Sequence, residues 1–228
     1  MSPFSDIRLG IVTPMASEAN SAVSFVKDVL AACSTQGFKA VRMFVVLDRA
    51  CKDNTRTLLD EFATLAPRLT VVWAPENKNV VDAYMRGYRE ALGGGSDWIL
   101  EIDAGYSHRP EDIPQFFTKM AEGYDCVFGS RFIRGGSMKD SGVRRVLISR
   151  GGTLLSNLVL GTTLKDMTSG FEMFTRPALE RVIKKGIRSK NPFFQTEIKF
   201  YCRTMKTAEV PIMYAGASFP VKNSTLMN

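Results

Sequence analysis

At 228 residues with 45% hydrophobic content, the chain can fill one substantial core, and no long polar tract marks a disordered segment. No apolar run reaches the roughly 18 to 20 residues of a bilayer span, no leader pattern opens the chain, and Cys33, Cys51, Cys126 and Cys202 show neither zinc nor disulfide spacing. The net charge of +7 is unevenly spread: residues 1–130 carry 13 Lys and Arg against 17 Asp and Glu, a net −4, whereas residues 131–228 carry 17 against 6, a net +11.

Taken in chain order, apolar runs of strand character alternate with segments whose apolar residues recur at three and four spacing. The predicted order is strand 7–14, helix 18–35, strand 40–47, helix 53–65, strand 69–73, helix 80–92, strand 98–103, helix 110–122 and strand 126–129. Pro110 suits a first helical turn, and Gly93-Gly94-Gly95 follows a helix end. Beyond Arg131 a Gly-rich basic loop leads to a helix over about 143–160, then to a strand and helices from Phe171 onward. Such alternation predicts an α/β fold, a mostly parallel sheet flanked by helices, with its functional loops gathered along one edge. No repeat or low-complexity linker divides the chain. It reads as a single domain with a lobe over 1–130 and a second over 131–228.

The most informative stretch is Trp98-Ile-Leu-Glu-Ile-Asp103-Ala104-Gly105-Tyr-Ser107-His108-Arg-Pro110, an apolar run that ends on a carboxylate and turns into a Pro-started helix. An acid there sits where open α/β sheets bind ligands. Asp48, directly after four apolar residues, is placed to accept hydrogen bonds from ribose hydroxyls or base N–H groups. Glu18, Asp53 and Thr55 equally suit the first turns of helices. The acidic first lobe suits a divalent cation, and the basic second lobe suits an anionic partner.

These segments resemble the family-2 inverting glycosyltransferases of GT-A (Rossmann-like) fold, most closely the polyprenyl-phosphate, dolichol-phosphate mannose synthase-like branch. Thr13-Pro14-Met-Ala-Ser-Glu18 resembles PTYNE, Leu47-Asp48-Arg49-Ala-Cys-Lys-Asp53-Asn-Thr55 resembles VDDGSTDGT, and Asn77 through Ala83 with Gly87 resembles N-x-G-x-G-x-A. The central stretch is similar to DADLSHDPEDIP, and Gly129-Ser-Arg131, Arg145, Ser149-Arg150 and Asp166-Met-Thr-Ser-Gly-Phe171 are similar to GSR, the basic positions after it and D-x-TSGF. Phe194-Gln-Thr-Glu197 and Glu209-Val-Pro-Ile212 complete a resemblance that spans about residues 7–214.

The resemblance implies a GDP- or UDP-hexose donor held by Pro14, Glu18, Asp48, Asp103, Ala104 and Gly105, with Mg²⁺ or Mn²⁺ on Asp103 and Ser107. It implies a polyprenyl phosphate or related cell-envelope acceptor. Arg131 and Arg145, with Arg150, would hold that anion through forked donors. A hydroxyl acceptor on a growing glycan would instead need a base, for which Asp166 is the candidate. His108 is expected to fix the loop before Pro110. The chain departs from the pattern at Gly105 (the second Asp of DxD), Arg49, Asn79, Val81 and Glu172, where Arg often follows TSGF. These departures keep two other readings open: metal-free donor binding with Arg49 or Lys222 as the cation, and a non-catalytic nucleotide-sugar-binding protein. Basic residues between Arg131 and Arg150, beside apolar Val146-Leu-Ile148 and Leu154-Leu155, suggest peripheral contact with the cytoplasmic membrane face. Lacking a zinc pattern and an aromatic basic RNA-binding signature, the chain is not expected to bind nucleic acid.

Overall fold

The computed structural model describes residues 2–139 and 142–215; Asp140 and Lys222 lie outside the described residues. In chain order its elements are β1 (Arg8–Met15), α1 (Ala22–Ser34), β2 (Ala40–Leu47), α2 (Thr55–Leu65), β3 (Leu69–Trp73), α3 (Val80–Gly93) and β4 (Trp98–Glu101). A 3-10 turn (Pro110–Asp112) then enters α4 (Ile113–Ala121), followed by β5 (Cys126–Ser130), β6 (Ser137–Lys139), α5 (Val143–Leu160) and β7 (Glu172–Thr175). The last elements are α6 (Arg176–Lys185), α7 (Phe194–Cys202), β8 (Thr207–Pro211) and β9 (Met213–Ala215).

Seven strands form one sheet in the order β3-β2-β1-β4-β7-β5-β8, and β6 pairs with β9 in a separate ribbon. Only β7 runs antiparallel to its neighbours in the large sheet. The chain winds outward from β1 through β2 and β3, then returns to β4 on the other flank of β1. Between β1 and β4 lies the switch point at which such sheets leave a crevice beyond their strand ends. Because β7 and β8 complete the sheet that β1 to β5 begin, both predicted lobes share a single backbone framework.

Strand alternation sends Leu9 and Ile11 to one face, against Phe25, Val26 and Val29 of α1 and Phe116 and Phe117 of α4. Val12, Phe44, Ile99 and Phe174 pack on the other face against Tyr84 and Tyr88 of α3, Leu179 of α6 and Ile198 of α7. A Cβ on Gly87 would overlap Val12, so glycine lets α3 approach β1 closely. The helix expected from Glu18 begins only at Ala22, because Glu18 to Ser21 form a turn whose Glu18 carbonyl accepts from Ser21 and Ala22 N–H at 2.9 and 2.8 Å. The strand expected to reach Asp103 ends at Glu101, the last residue that pairs with β7, so Asp103 stands in the loop beyond.

Charges lie inside this core. Glu101 and Glu172 are cross-strand partners and both fully buried, as is the Lys199 side chain that bonds Glu172. Gln195 donates to Glu101, and Lys199 also donates to the Ser169 carbonyl at 2.6 Å. Burial raises both carboxyl pKa values, and Glu172 raises that of Glu101 further; Lys199 pulls Glu172 back, leaving it at about 7, while Glu101 stays well above its ordinary value. One ammonium thus serves two buried carboxyls, and it bonds Glu172 directly. Lys199→Met should cost about 3–5 kcal/mol of unfolding free energy because it leaves Glu172 buried and unpaired, and adding Glu172→Met should recover most of it. Urea denaturation of both variants at pH 7 checks the pair.

Candidate functional site

The switch-point crevice is a cleft of about 660 Å³. Pro14, Met15, Ala16 and Glu18 reach it from the end of β1, Asp48 and Arg49 from the end of β2, and Asn77, Lys78 and Asn79 from the entry to α3. Asp103, Ala104 and Ser107 come from the loop after β4, and Tyr214 of β9 lines the cleft beside His108 of that loop. A volume of this size lies in the range of small-molecule sites. The cleft gathers three carboxylates, Glu18, Asp48 and Asp103, with two cations, Arg49 and Lys78.

Loop chemistry sets each acid. Asp48 accepts from the Ala50 N–H at 2.8 Å, a turn that leaves the rest of its carboxylate to the cleft. Asp53 and Thr55 of the next loop hold the β1–α1 turn, Thr55 accepting from Glu18 N–H at 2.7 Å and Asp53 from Ala19 N–H at 3.1 Å. Asp103 is 42% exposed. The buried Tyr84 hydroxyl donates to its Oδ1, and the His108 Nδ1 lies 3.6 Å from its Oδ2. Burial raises the Tyr84 pKa well above its ordinary value and Asp103 adds to the shift, so the phenol keeps its proton and remains the donor.

His108 is 1% exposed, stacks on Phe171 with centroids 5.1 Å apart, and its Nδ1 has no hydrogen-bond partner among the described residues. Burial lowers its pKa against the opposing pull of Asp103, so the ring is neutral at pH 7. An exposed hard carboxylate beside an unpartnered buried nitrogen fits a divalent cation on Asp103. No three His, Cys, Asp or Glu side chains among the described residues converge enough to hold a metal alone, so any such ion takes ligands from its substrate as well. Ser107 is buried and its hydroxyl donates to the Ala104 carbonyl at 3.3 Å, finishing the turn at the rim of the cleft.

The basic residues divide in two. Arg131 is only 7% exposed and grips Asp166 with Nε to Oδ2 and Nη2 to Oδ1, both at 2.7 Å, while its backbone N–H reaches Oδ2 at 3.0 Å. Thr168 N–H and Oγ1 also serve Oδ1. Burial would raise the Asp166 carboxyl, but the Arg131 guanidinium outweighs it and holds the pKa below the ordinary value. With both oxygens so occupied, Asp166 is the ionised partner of Arg131 at neutral pH. Arg145 is exposed, donates to the Tyr214 hydroxyl at 3.0 Å and lies over the same ring. Arg131 also faces Tyr214, and Arg150 faces Phe132.

Asp48 and Asp103 therefore share one cleft, and the Arg131–Asp166 pair adjoins it through Tyr214 and His108. Sequence reasoning missed Tyr84, Lys78 and Tyr214. Tyr214 follows Ile212 at strand spacing, the one signal that could have drawn attention to it; Tyr84 looks like any apolar-face residue of α3.

The switch point of this mostly parallel sheet carries carboxylates, and the Arg131 and Arg145 guanidinium groups adjoin them through Tyr214. Residues 11–183 match the profile of glycosyl transferase family 2, and the chain belongs to that family. It is 31% identical over 172 residues to an undecaprenyl-phosphate mannosyltransferase of Micrococcus luteus, covering 75% of this chain and 70% of that protein. It is 29% identical over 187 residues to a polyprenol monophosphomannose synthase of Mycolicibacterium smegmatis, covering 81% and 71%. Among solved structures, glucosyl-3-phosphoglycerate synthase of Mycobacterium tuberculosis with Mn²⁺, UDP-glucose and phosphoglyceric acid shares the fold at a TM-score of 0.66 and 16% identity, over 93% of this chain and 72% of that one.

The Arg131–Asp166 pair contributes stability that is fully present above the unfolded carboxyl value of about 3.9 and is lost as pH falls through the lower folded value. Arg131→Met, which strands a buried carboxylate, should therefore cost about 3–5 kcal/mol at pH 7 and progressively less as acid protonates Asp166. Urea unfolding of wild type and variant from pH 7 down to about 4 measures the narrowing gap.

Proposed function

We propose that the chain moves a hexose, with inversion, from a GDP- or UDP-hexose to the phosphate of a polyprenyl phosphate. The observation that carries this reading is one cleft lined by Glu18, Asp48 and Asp103 and by Tyr214, to which Arg145 is bonded. The names of the two relatives support the acceptor class.

An acceptor phosphate with a second pKa of about 6 is largely anionic at neutral pH, so no side chain has to take its proton. Its oxygen attacks the anomeric carbon from the face opposite the diphosphate; the new C–O bond forms as the old one breaks, and the nucleoside diphosphate leaves with the electron pair. Positive charge grows at the anomeric carbon and negative charge on the leaving group. Asp166 needs no role as a base in this scheme and serves to hold Arg131 rigid beside Tyr214. Arg145, exposed and lightly tethered, meets the lipid phosphate with forked donors. Asp103, with Ser107 alongside, would hold Mg²⁺ or Mn²⁺ together with donor oxygens, and such an ion would supply positive charge to offset that of the departing diphosphate.

No helix among the described residues is long and apolar enough to cross a membrane. Contact with a lipid acceptor is assigned to α5. Leu147, Ile148, Leu154, Leu155, Leu158 and Val159 follow helical spacing and are each 62–82% exposed, while Thr153 and Asn157 tie the opposite side to Met167 and Leu164. Arg144, Arg145 and Arg150 accompany this apolar stripe, each contributing on the order of 1 kcal/mol near anionic lipid.

Two outcomes test the reading. With GDP-mannose or UDP-glucose as donor and polyprenyl phosphate or an oligosaccharide as acceptor, mass analysis should find sugar added to the lipid phosphate alone, and Asp103→Ala should lose that product. A glycosylated oligosaccharide would move the acceptor to a hydroxyl. Leu154→Glu with Leu158→Glu, both at exposed positions, should leave the thermal midpoint unchanged and abolish co-sedimentation with phosphatidylglycerol-containing vesicles.

A further inference from the structure

We propose that Glu18 supplies the carboxylate that Gly105 lacks, so that a divalent cation in this cleft is held by Asp103 and Glu18 from two separate loops. The inference rests on the metal-assisted donor reading above and assigns its second protein ligand. The segment Asp103-Ala104-Gly105 carries one carboxylate where the motif it resembles carries two. A Cβ built on Gly105 would meet Glu18 before anything else, at 3.3 Å from Oε2, 3.4 Å from Oε1 and 3.6 Å from Cδ. An aspartate carboxyl carbon lies one bond beyond its Cβ, so the Glu18 carboxylate borders the volume that an acid at position 105 would occupy. The two cannot share it. Gly105 also has φ +72°, in the left-handed region that glycine adopts freely.

The aim of Glu18 is built in. Its backbone N–H is held by Thr55, the next N–H by Asp53, and its carbonyl accepts the first two N–H groups of the turn into α1. Capping of α1 is therefore done by the Glu18 backbone. Its side chain accepts only from the Ser21 hydroxyl, at 3.1 Å to Oε2, among the described residues. The remaining carboxylate lone pairs adjoin Gly105 at the cleft that Asp103 also lines. A second, independent observation points to a ligand on Asp103: the His108 Nδ1, in a ring 1% exposed, lies 3.6 Å from Oδ2 and has no hydrogen-bond partner among the described residues. Mg²⁺ and Mn²⁺ are satisfied by one or two carboxylates plus phosphate oxygens and water, which matches two acids and an arriving diphosphate.

The test is Mn²⁺ binding followed by electron paramagnetic resonance, with GDP and with UDP, alongside nucleotide affinity without metal. Wild type should bind Mn²⁺ in a ternary complex. The isosteric Glu18→Gln should bind it at least about tenfold more weakly, with unchanged metal-free nucleotide affinity, circular dichroism and thermal midpoint. Gly105→Asp alone should not tighten binding, because the new acid meets Glu18. Glu18→Ala with Gly105→Asp should recover affinity to within about threefold of wild type, since Asp tolerates positive φ better than most residues. Wild-type Mn²⁺ affinity in Glu18→Gln would overturn this assignment while leaving the metal reading intact. An equal fall in metal-free nucleotide affinity would overturn it too, by making Glu18 a nucleotide contact. No Mn²⁺ binding by wild type with either diphosphate would overturn the metal reading itself.

Discussion

Two buried cations clamp the segment from Asp166 to Glu172, and the surroundings of Asp103 and His108 depend on that clamp. Arg131 takes Asp166 and Thr168 at one end, while Lys199 takes the Ser169 carbonyl and Glu172 at the other. Between them Gly170 passes so close to Asp103 and Gln195 that a Cβ would meet Gln195 Nε2 at 2.7 Å and Asp103 Oδ2 at 3.6 Å. Phe171, the next residue, is the face on which His108 stacks. Removing either cation would leave a carboxylate stranded in a low-dielectric core and release one end of the segment. The same electrostatics that stabilise the fold therefore fix the neighbours of Asp103.

Asp103 is steered from three directions. The end of β4 delivers it past the sheet, Tyr84 reaches across from α3 to one oxygen, and His108 stands behind the other. Arg145 and α5 are held by fewer bonds. Arg145 and Tyr214 meet near the surface through a single hydrogen bond, and α5 is tied to the body by Thr153 and Asn157.

The framework was legible because it follows from periodicity. Strands β2 and β3 and helix α5 begin and end where alternation and helical spacing place them, and the switch point follows from their parallel order. Boundaries moved where a side chain or a neighbouring strand competed with the local pattern, as in the turn from Glu18 to Ser21 and at Glu101. Asp48 and Asp103 were legible because each ends an apolar run, whereas Glu18 stood out through its likeness to PTYNE. The pairing of Arg131 with Asp166 was not, since 35 positions separate them and nothing local distinguishes a solvated arginine from a buried one. Tyr84 was hidden for a related reason: a tyrosine on the inner face of a helix has the same pattern whether or not its hydroxyl finds a carboxylate.

Motif departures gain meaning when charge is counted over a region of space instead of along the chain. Glu172 puts an acid where the resembled pattern often has Arg, yet Lys199 on α7 brings a cation to the same buried point. Loss of a basic residue from the strand is therefore no loss of positive charge beneath the cleft. The acid-poor Asp103-Ala104-Gly105 segment follows the same logic at the surface, since the Glu18 carboxylate borders the space beside Gly105. In both places a coulombic requirement is local to a few ångströms, and any loop or helix that reaches the point can meet it. A one-letter mismatch in such a motif is weak evidence against activity until the side chains crossing that point from elsewhere in the fold are known.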